Sequence, residues 1–237
     1  MLVSATSATQ GCAKLATAIQ IWALLCGALA GIVFIAFPWI DLSVSELFYR
    51  GGGVFVGQSL DCVRVARSAF AGLFYLSIAA VLVGIVRTRG GSRTWLRLRF
   101  SQWVFLAISL AAGPGLVANV VLKDHLGRAR PKQVVEFGGS KAFSPPLIPS
   151  PECASNCSFI GGEAASTFVP FYAASLVLPQ CAPWLLAIGT LCGLASGLVR
   201  IAQGAHFLSD IIFAGVFMAL TVASVYSVIF ARAGPRS

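Results

Sequence analysis

Arg87-Thr-Arg-Gly-Gly-Ser-Arg-Thr-Trp-Leu-Arg-Leu-Arg99 holds five arginines and no acid, and apolar runs at 69–86 and 102–121 bound it on both sides. A helix that crosses about 30 Å of hydrocarbon at about 1.5 Å per residue needs about 20 mostly apolar residues. The two runs meet that length or nearly do, so the arginine stretch reads as a short connection between two membrane-spanning helices. Short connections this basic stay in the cytoplasm, and that orients the rest of the chain.

Working outward, further apolar stretches at 15–37, 163–179, 183–199 and 208–230 complete an expected all-α bundle of six transmembrane helices, one membrane domain over 1–237. The segments at 163–179 and 183–199 are short and rich in Gly and Ala, and Pro179-Gln-Cys-Ala-Pro183 between them reads as a tight helical hairpin. The first segment reads as a retained anchor, because the apolar residues after Lys14 run to Phe37-Pro38-Trp39 with no small-residue cleavage site. Threading puts both termini in the cytoplasm, with Lys14 at one end and Arg232 and Arg236 at the other, and leaves 38–68 and 122–162 outside. Arg50, Arg64 and Arg67 on the outer side weaken the charge asymmetry without reversing it.

Composition agrees. Only 11% of the 237 residues are charged and 57% are hydrophobic, whereas a soluble domain carries about a quarter charged residues. A soluble globular class is excluded. The formal net charge of +9 invites a nucleic-acid reading, but apolar segments keep the basic residues from forming one stripe. No nucleic-acid partner is expected, and no sequence feature points to an obligate protein partner. Cys153 and Cys157, in Cys153-Ala-Ser-Asn-Cys157, fall in the second outer segment and are predicted to form a short local disulfide, since that side faces an oxidising compartment. Two free thiols are the alternative. A zinc site is disfavoured because His125 is the only histidine nearby.

In so apolar a chain, ionisable groups at helix mouths carry information, because holding them near hydrocarbon is costly unless they are paired or functional. Three clusters stand out. Lys123-Asp-His-Leu-Gly-Arg128-Ala-Arg130-Pro131 follows the third segment; if the helix continues, Lys123 and Arg130 share a face that suits an anion. Ser158-Phe-Ile-Gly161-Gly162-Glu163 opens the fourth, where backbone N–H groups at a helix start can cradle phosphate. Arg200-Ile-Ala-Gln-Gly-Ala-His206-Phe-Leu-Ser-Asp210 joins the last two, with His206 and Asp210 one turn apart. That spacing lets the carboxylate orient the imidazole and leave one ring nitrogen as a nucleophile. Singly, each has an ordinary structural explanation: lipid-headgroup anchors, a close helix contact, a satisfied buried pair. All three fall on the outer side, and together they supply cations, an anion cradle and an oriented imidazole.

With these residues in view the sequence resembles the type 2 phosphatidic acid phosphatase family, six-helix membrane lipid phosphatases that share an active-site pattern with vanadium haloperoxidases. The family signature is K-x6-RP, then PSGH, then SR-x5-H-x3-D. Lys123, Arg130 and Pro131 match the first part; Arg200, His206 and Asp210 match the last with both spacings intact. The middle part departs: Ile160-Gly161-Gly162-Glu163 stands for Pro-Ser-Gly-His, and Val199 stands for the serine before the arginine.

The resemblance implies a metal-independent, cofactor-free phosphoric monoester hydrolase that works through a phosphohistidine. Lys123, Arg130, Arg200, Gly161 and Gly162 would bind the lipid phosphate, His206 would attack phosphorus and Asp210 would orient it. By position Glu163 replaces the histidine acid, a role a carboxyl can fill if desolvation keeps it protonated. Arg128 is a second-tier candidate that could face lipid or substrate. The implied setting is the periplasmic face of a bacterial inner membrane, with the substrate drawn from the bilayer. Lipid A is preferred, at its 1- or 4′-position, the glycosidic 1-phosphate being the better leaving group. Phosphatidylglycerophosphate and undecaprenyl diphosphate are alternatives, as are phosphoryl transfer to another lipid and a non-catalytic lipid-phosphate-binding protein.

Overall fold

Uninterrupted apolar runs become helices, and the polar or Pro-bearing breaks become their ends. The computed structural model describes residues 2–90 and 93–231. Its helices are α1 (Leu2–Ala36), α2 (Trp39–Glu46), α3 (Asp61–Thr88), α4 (Phe100–Leu110), α5 (Lys123–Leu126), α6 (Gly162–Val177), α7 (Ala182–Ala202) and α8 (Leu208–Tyr226), and only isolated bridges occur in place of strands among the described residues. Among the described residues, five stretches are long and apolar enough to cross a membrane: Gln10–Ala36, Asp61–Thr88, Phe100–Leu122, Pro179–Ala202 and Leu208–Phe230. The basic residues Arg232 and Arg236 lie outside the described residues.

The sixth expected span is different in kind. α6 has 16 residues, about 24 Å of helix, and it is the central element, touching α3, α4, α7 and α8. Ala164, Ala165, Phe168, Val169, Ala173 and Leu176 are all buried. Its partner α7 approaches through a stripe of glycines: a Cβ on Gly193 would lie 2.3 Å from Phe168, and one on Gly197 would lie 2.2 Å from Ile211 of α8. Small residues at four-residue spacing permit this backbone approach, which in lipid is where packing energy comes from.

At the arginine end α3 and α4 form a close hairpin. Trp103 covers Gly84, where a Cβ would sit 2.2 Å from the indole, and Trp95 pairs with Leu98 across the turn. Beyond α4 the helix widens into a π-helical stretch, Ala111–Leu122, around Pro114. Proline removes one N–H and crowds the preceding turn, so the ladder re-registers.

The expected continuation of that helix to Arg130 does not occur. α5 stops at Gly127, which has φ +56°; a Cβ there would also lie 1.9 Å from the Ser150 carbonyl oxygen. Lys123 therefore sits on helix and Arg130 on extended backbone, so the two do not share a helical face. Residues 127–160 and the segment around α2 form a cap at this end, held by a buried cluster of Phe55, Ala129, Val134, Phe137 and Phe207.

Candidate active site

The polar side chains of the sequence clusters converge beneath this cap. α8 begins at Leu208, and Asp210 on its first turn accepts the Phe207 N–H at 2.8 Å, the reciprocal contact of a helix start. The same carboxylate oxygen accepts the Ser158 hydroxyl at 2.5 Å. His206 precedes the helix and is buried; its Nδ1 lies 2.7 Å from the Ser158 carbonyl oxygen and 3.7 Å from Asp210. A carbonyl can only accept, so Nδ1 carries the proton and Nε2 keeps its lone pair. The expected orienting partner, Asp210, thus acts at longer range, and the Ser158 backbone makes the direct bond. Burial pushes the His206 imidazole below its ordinary value, with Asp210 opposing, and Arg200 and Lys123 reinforce the downward shift.

Behind the histidine lies a buried charge network. Arg128 donates Nε to the Ser144 carbonyl at 2.8 Å, Nη1 to Asp210 at 2.5 Å and to Ser209 Oγ at 2.8 Å, and Nη2 to Asp41 at 2.8 Å. Its guanidinium carbon stands 4.4 Å from the Phe207 ring centroid. Asp41, from α2, also accepts the Ser209 N–H at 2.8 Å and the Ser209 hydroxyl. Two carboxylates share one guanidinium: burial raises the Asp41 carboxyl above its ordinary range, Arg128 opposes the shift, and Asp210 adds to it. Arg128, open between lipid and substrate on sequence grounds, faces neither.

In front of the histidine one cation, Arg200, is less completely matched. Arg200 is 9% exposed; its Nη1 reaches Gln203, but its Nε has no hydrogen-bond partner. That Nε lies 3.6 Å from Glu163 Oε1. A buried guanidinium N–H without an acceptor marks a place for an anionic oxygen. Arg130 donates Nη2 to both the backbone oxygen and Oδ1 of Asn156, at 2.8 and 2.9 Å. A Cβ on Gly162 would lie 3.0 Å from Lys123 Nζ, so the ammonium sits over the start of α6. Cys153 and Cys157 are joined in a disulfide that closes the loop carrying Asn156.

Two expectations meet different surroundings. The Gly161 N–H is taken by the Asp210 carbonyl at 3.2 Å, so it turns into the protein and not toward an anion; Gly162 remains at the helix start. Glu163, expected to be kept protonated by desolvation, is instead the partner of Arg67: Arg67 Nε lies 3.0 Å from each carboxylate oxygen and Nη2 lies 2.7 Å from Oε1. Two guanidiniums beside it make Glu163 a carboxylate in an ion pair. Sequence reasoning missed Asp41 and gave Arg67 no role. The only available signal was rarity, since the chain has 8 acidic residues, and Asp41, just beyond the first apolar run, has no local motif to mark it out.

Residues 102–234 match the model of the PAP2 superfamily. A lipid A 4′-phosphatase of Francisella tularensis subsp. novicida is 32% identical over 209 residues, covering 86% of this chain and 92% of that protein. One from Rhizobium leguminosarum is 34% identical, covering 81% and 85%. A lipid A 1-phosphatase of Rhizobium etli is 33% identical over 124 residues, 51% of this chain and 47% of its own length. In architecture the chain is similar to a transmembrane PAP2-type phosphatidylglycerolphosphate phosphatase from Bacillus subtilis, with TM-score 0.52 and 16% identity over 94% of this chain and 98% of that one.

Proposed function

The chain belongs to the PAP2 superfamily, and from that membership and the geometry of its site we propose that it is a multi-pass membrane phosphatase that removes the 4′-phosphate of lipid A. The observation that carries the chemistry is the His206 tautomer: Nδ1 is bound to the Ser158 carbonyl, and the Nε2 lone pair stands in a site with the unpartnered Nε of Arg200. Similarity to lipid A 4′-phosphatases over most of both chains supports the substrate; the 1-phosphatases match over about half of this one. The site lies at the end of the bundle opposite Arg87–Arg99, which under the positive-inside rule supports a reaction at the periplasmic face of an inner membrane.

A lipid phosphate sits among Lys123, Arg130 and Arg200, whose charges offset the charge that grows in the transition state. His206 Nε2 bonds to phosphorus as the phosphorus–oxygen ester bond breaks. Asp210 and the Ser158 carbonyl stabilise the cationic ring. The departing oxygen needs a proton, all the more because a 4′-sugar alkoxide leaves poorly, and we assign that proton to Glu163, whose carboxyl must first leave its ion pair with Arg67 and become protonated. Water then attacks phosphorus, its proton passes to Glu163, and the nitrogen–phosphorus bond breaks to release inorganic phosphate.

Purified full-length protein in detergent, offered lipid A, is expected to release inorganic phosphate and leave a product lacking the 4′-phosphate by mass spectrometry, with His206→Ala inactive. Loss of the 1-phosphate instead would overturn the position, and no substrate-dependent release would overturn the hydrolase reading. Glu163→Gln should slow leaving-group departure by about 10²–10⁴-fold; unchanged turnover would remove Glu163 from the acid role.

A further inference from the structure

Arg67 belongs to no signature motif, yet its guanidinium ends at the phosphate site. It lies near the start of α3 and grips Glu163 through Nε and Nη2, the two-pronged fork that fits a carboxylate and a phosphate equally well. The Oε1 atom it holds is also the one 3.6 Å from Arg200 Nε, the buried donor without a hydrogen-bond partner. Arg130 and Arg200 both lie within electrostatic reach of Arg67. Two guanidiniums therefore contact one carboxylate, with Arg130 within electrostatic reach of it, and that carboxylate occupies a position where Arg67 and Arg200 can converge on an anion. Arg67 also borders a groove of about 410 Å³ between α3 and α6, with Phe70, Phe74 and Tyr75 on one side and Ser166 and Glu163 on the other. An apolar wall ending in a cation suits a lipid whose phosphate must reach the site while its chains stay in the bilayer.

We propose that Arg67 is a further phosphate-binding residue, held in place by Glu163 in the substrate-free protein, and that the substrate phosphate displaces the carboxylate and takes both Arg67 and Arg200. The proposal rests on the lipid-phosphatase reading. It also supplies what the acid role of Glu163 lacks. Phosphate in that place turns the carboxyl from the partner of two cations into the neighbour of an anion, the condition in which a carboxyl can carry a proton to a leaving oxygen.

The alternative is a plain strut, an ion pair that ties α3 to α6, and inorganic phosphate as a competitive inhibitor separates the two. Wild-type turnover of lipid A is measured first; its absence would defeat the hydrolase reading before this one is reached. With turnover in hand, Arg67→Ala is expected to raise both KM and the inhibition constant for inorganic phosphate about 10- to 100-fold, the scale of a hydrogen bond to a charged group. Glu163→Gln is expected to tighten phosphate inhibition, because it neutralises the competing carboxylate. In the Glu163→Gln background Arg67→Ala should still weaken phosphate by a similar factor. A strut predicts the reverse: no tightening in Glu163→Gln, and no further effect of Arg67→Ala once the pair is gone. Either result overturns the proposal. Arg67→Lys, which keeps the charge but not the fork, serves if Arg67→Ala does not fold, and should give an intermediate loss; wild-type constants there would equally overturn it.

Discussion

Arg128 and Arg200 are guanidiniums on either side of one histidine, and they live in opposite conditions. Arg128 has every nitrogen satisfied: carboxylates on both terminal nitrogens, a carbonyl on Nε, an aromatic face below. Arg200 is almost as buried and keeps an Nε without a hydrogen-bond partner, in a neighbourhood where guanidiniums outnumber the carboxylate. The difference separates scaffold from site. A buried charge that has all its partners holds the fold in one geometry; a buried donor that lacks one is where the proposed function puts a ligand.

Substitution should break the two regions in different ways, and the largest effect belongs to the satisfied one. Arg128→Ala leaves Asp41 and Asp210 facing each other without a counter-charge, and removing one partner of a buried pair costs about 3–5 kcal/mol. Its thermal unfolding midpoint in detergent should fall sharply and activity should go with it. Arg200→Ala should leave the midpoint nearly where it was while kcat/KM drops about 10²–10³-fold, as for loss of a transition-state donor. Equal midpoints for the two variants would erase the distinction.

What the sequence disclosed follows the same division. Lys123, Arg130, Arg200, His206 and Asp210 were legible because charges at helix mouths are rare and their spacings are fixed, and the structure does bring them to one end of the bundle. The membrane class was legible from the apolar runs. The scaffold was not. Asp41 and Arg128 are 87 residues apart, so no local pattern joins them, and Asp41 reads like any interfacial acid. The bond that fixes the His206 tautomer comes from the Ser158 backbone, and every residue has a carbonyl. α6 reads as apolar like the other runs, but composition reports apolarity and not whether lipid or protein supplies the surroundings, and the structure surrounds α6 with helices. The helical face expected for Lys123 and Arg130 failed at Gly127, which turns left-handed and where only the absence of a Cβ clears the Ser150 carbonyl.

The second prediction places His206 between the two regions, which pull on it in opposite senses. Burial lowers its value; Asp210, from the scaffold, raises it, and Arg200 and Lys123, from the site, lower it further. In the proposed mechanism the neutral ring is the nucleophile, so kcat/KM should be level near neutral pH and fall about tenfold per unit once the pH drops through the depressed value, below the ordinary imidazole range of about 6.5. Asp210→Asn should move that acid limb to still lower pH, and Arg200→Ala should move it upward, each on top of its loss of rate. An acid limb above about pH 7 in wild type, or shifts of the same sign in both variants, would defeat the assignment.

The smallest effect tests where the regions meet. Residues 156–158 serve both: Asn156 anchors Arg130 of the site, and Ser158 binds His206 and Asp210 of the scaffold. The Cys153–Cys157 disulfide closes the loop between them, and Asn156 sits at φ +50°, a conformation that Asn tolerates better than most residues. Asn156→Gly keeps that backbone and its carbonyl acceptor and removes only the side-chain acceptor, so KM for lipid A should rise about threefold to tenfold with kcat little changed, the scale of one ordinary hydrogen bond acting through Arg130. Cys153→Ser with Cys157→Ser loosens the loop as a whole. If the disulfide steadies only Arg130, that variant repeats the KM effect and leaves the pH profile alone. If it steadies the Ser158 carbonyl as well, the acid limb of His206 shifts too, and the clamp then belongs to both regions. An unchanged KM in Asn156→Gly would show that Arg130 finds the phosphate without Asn156.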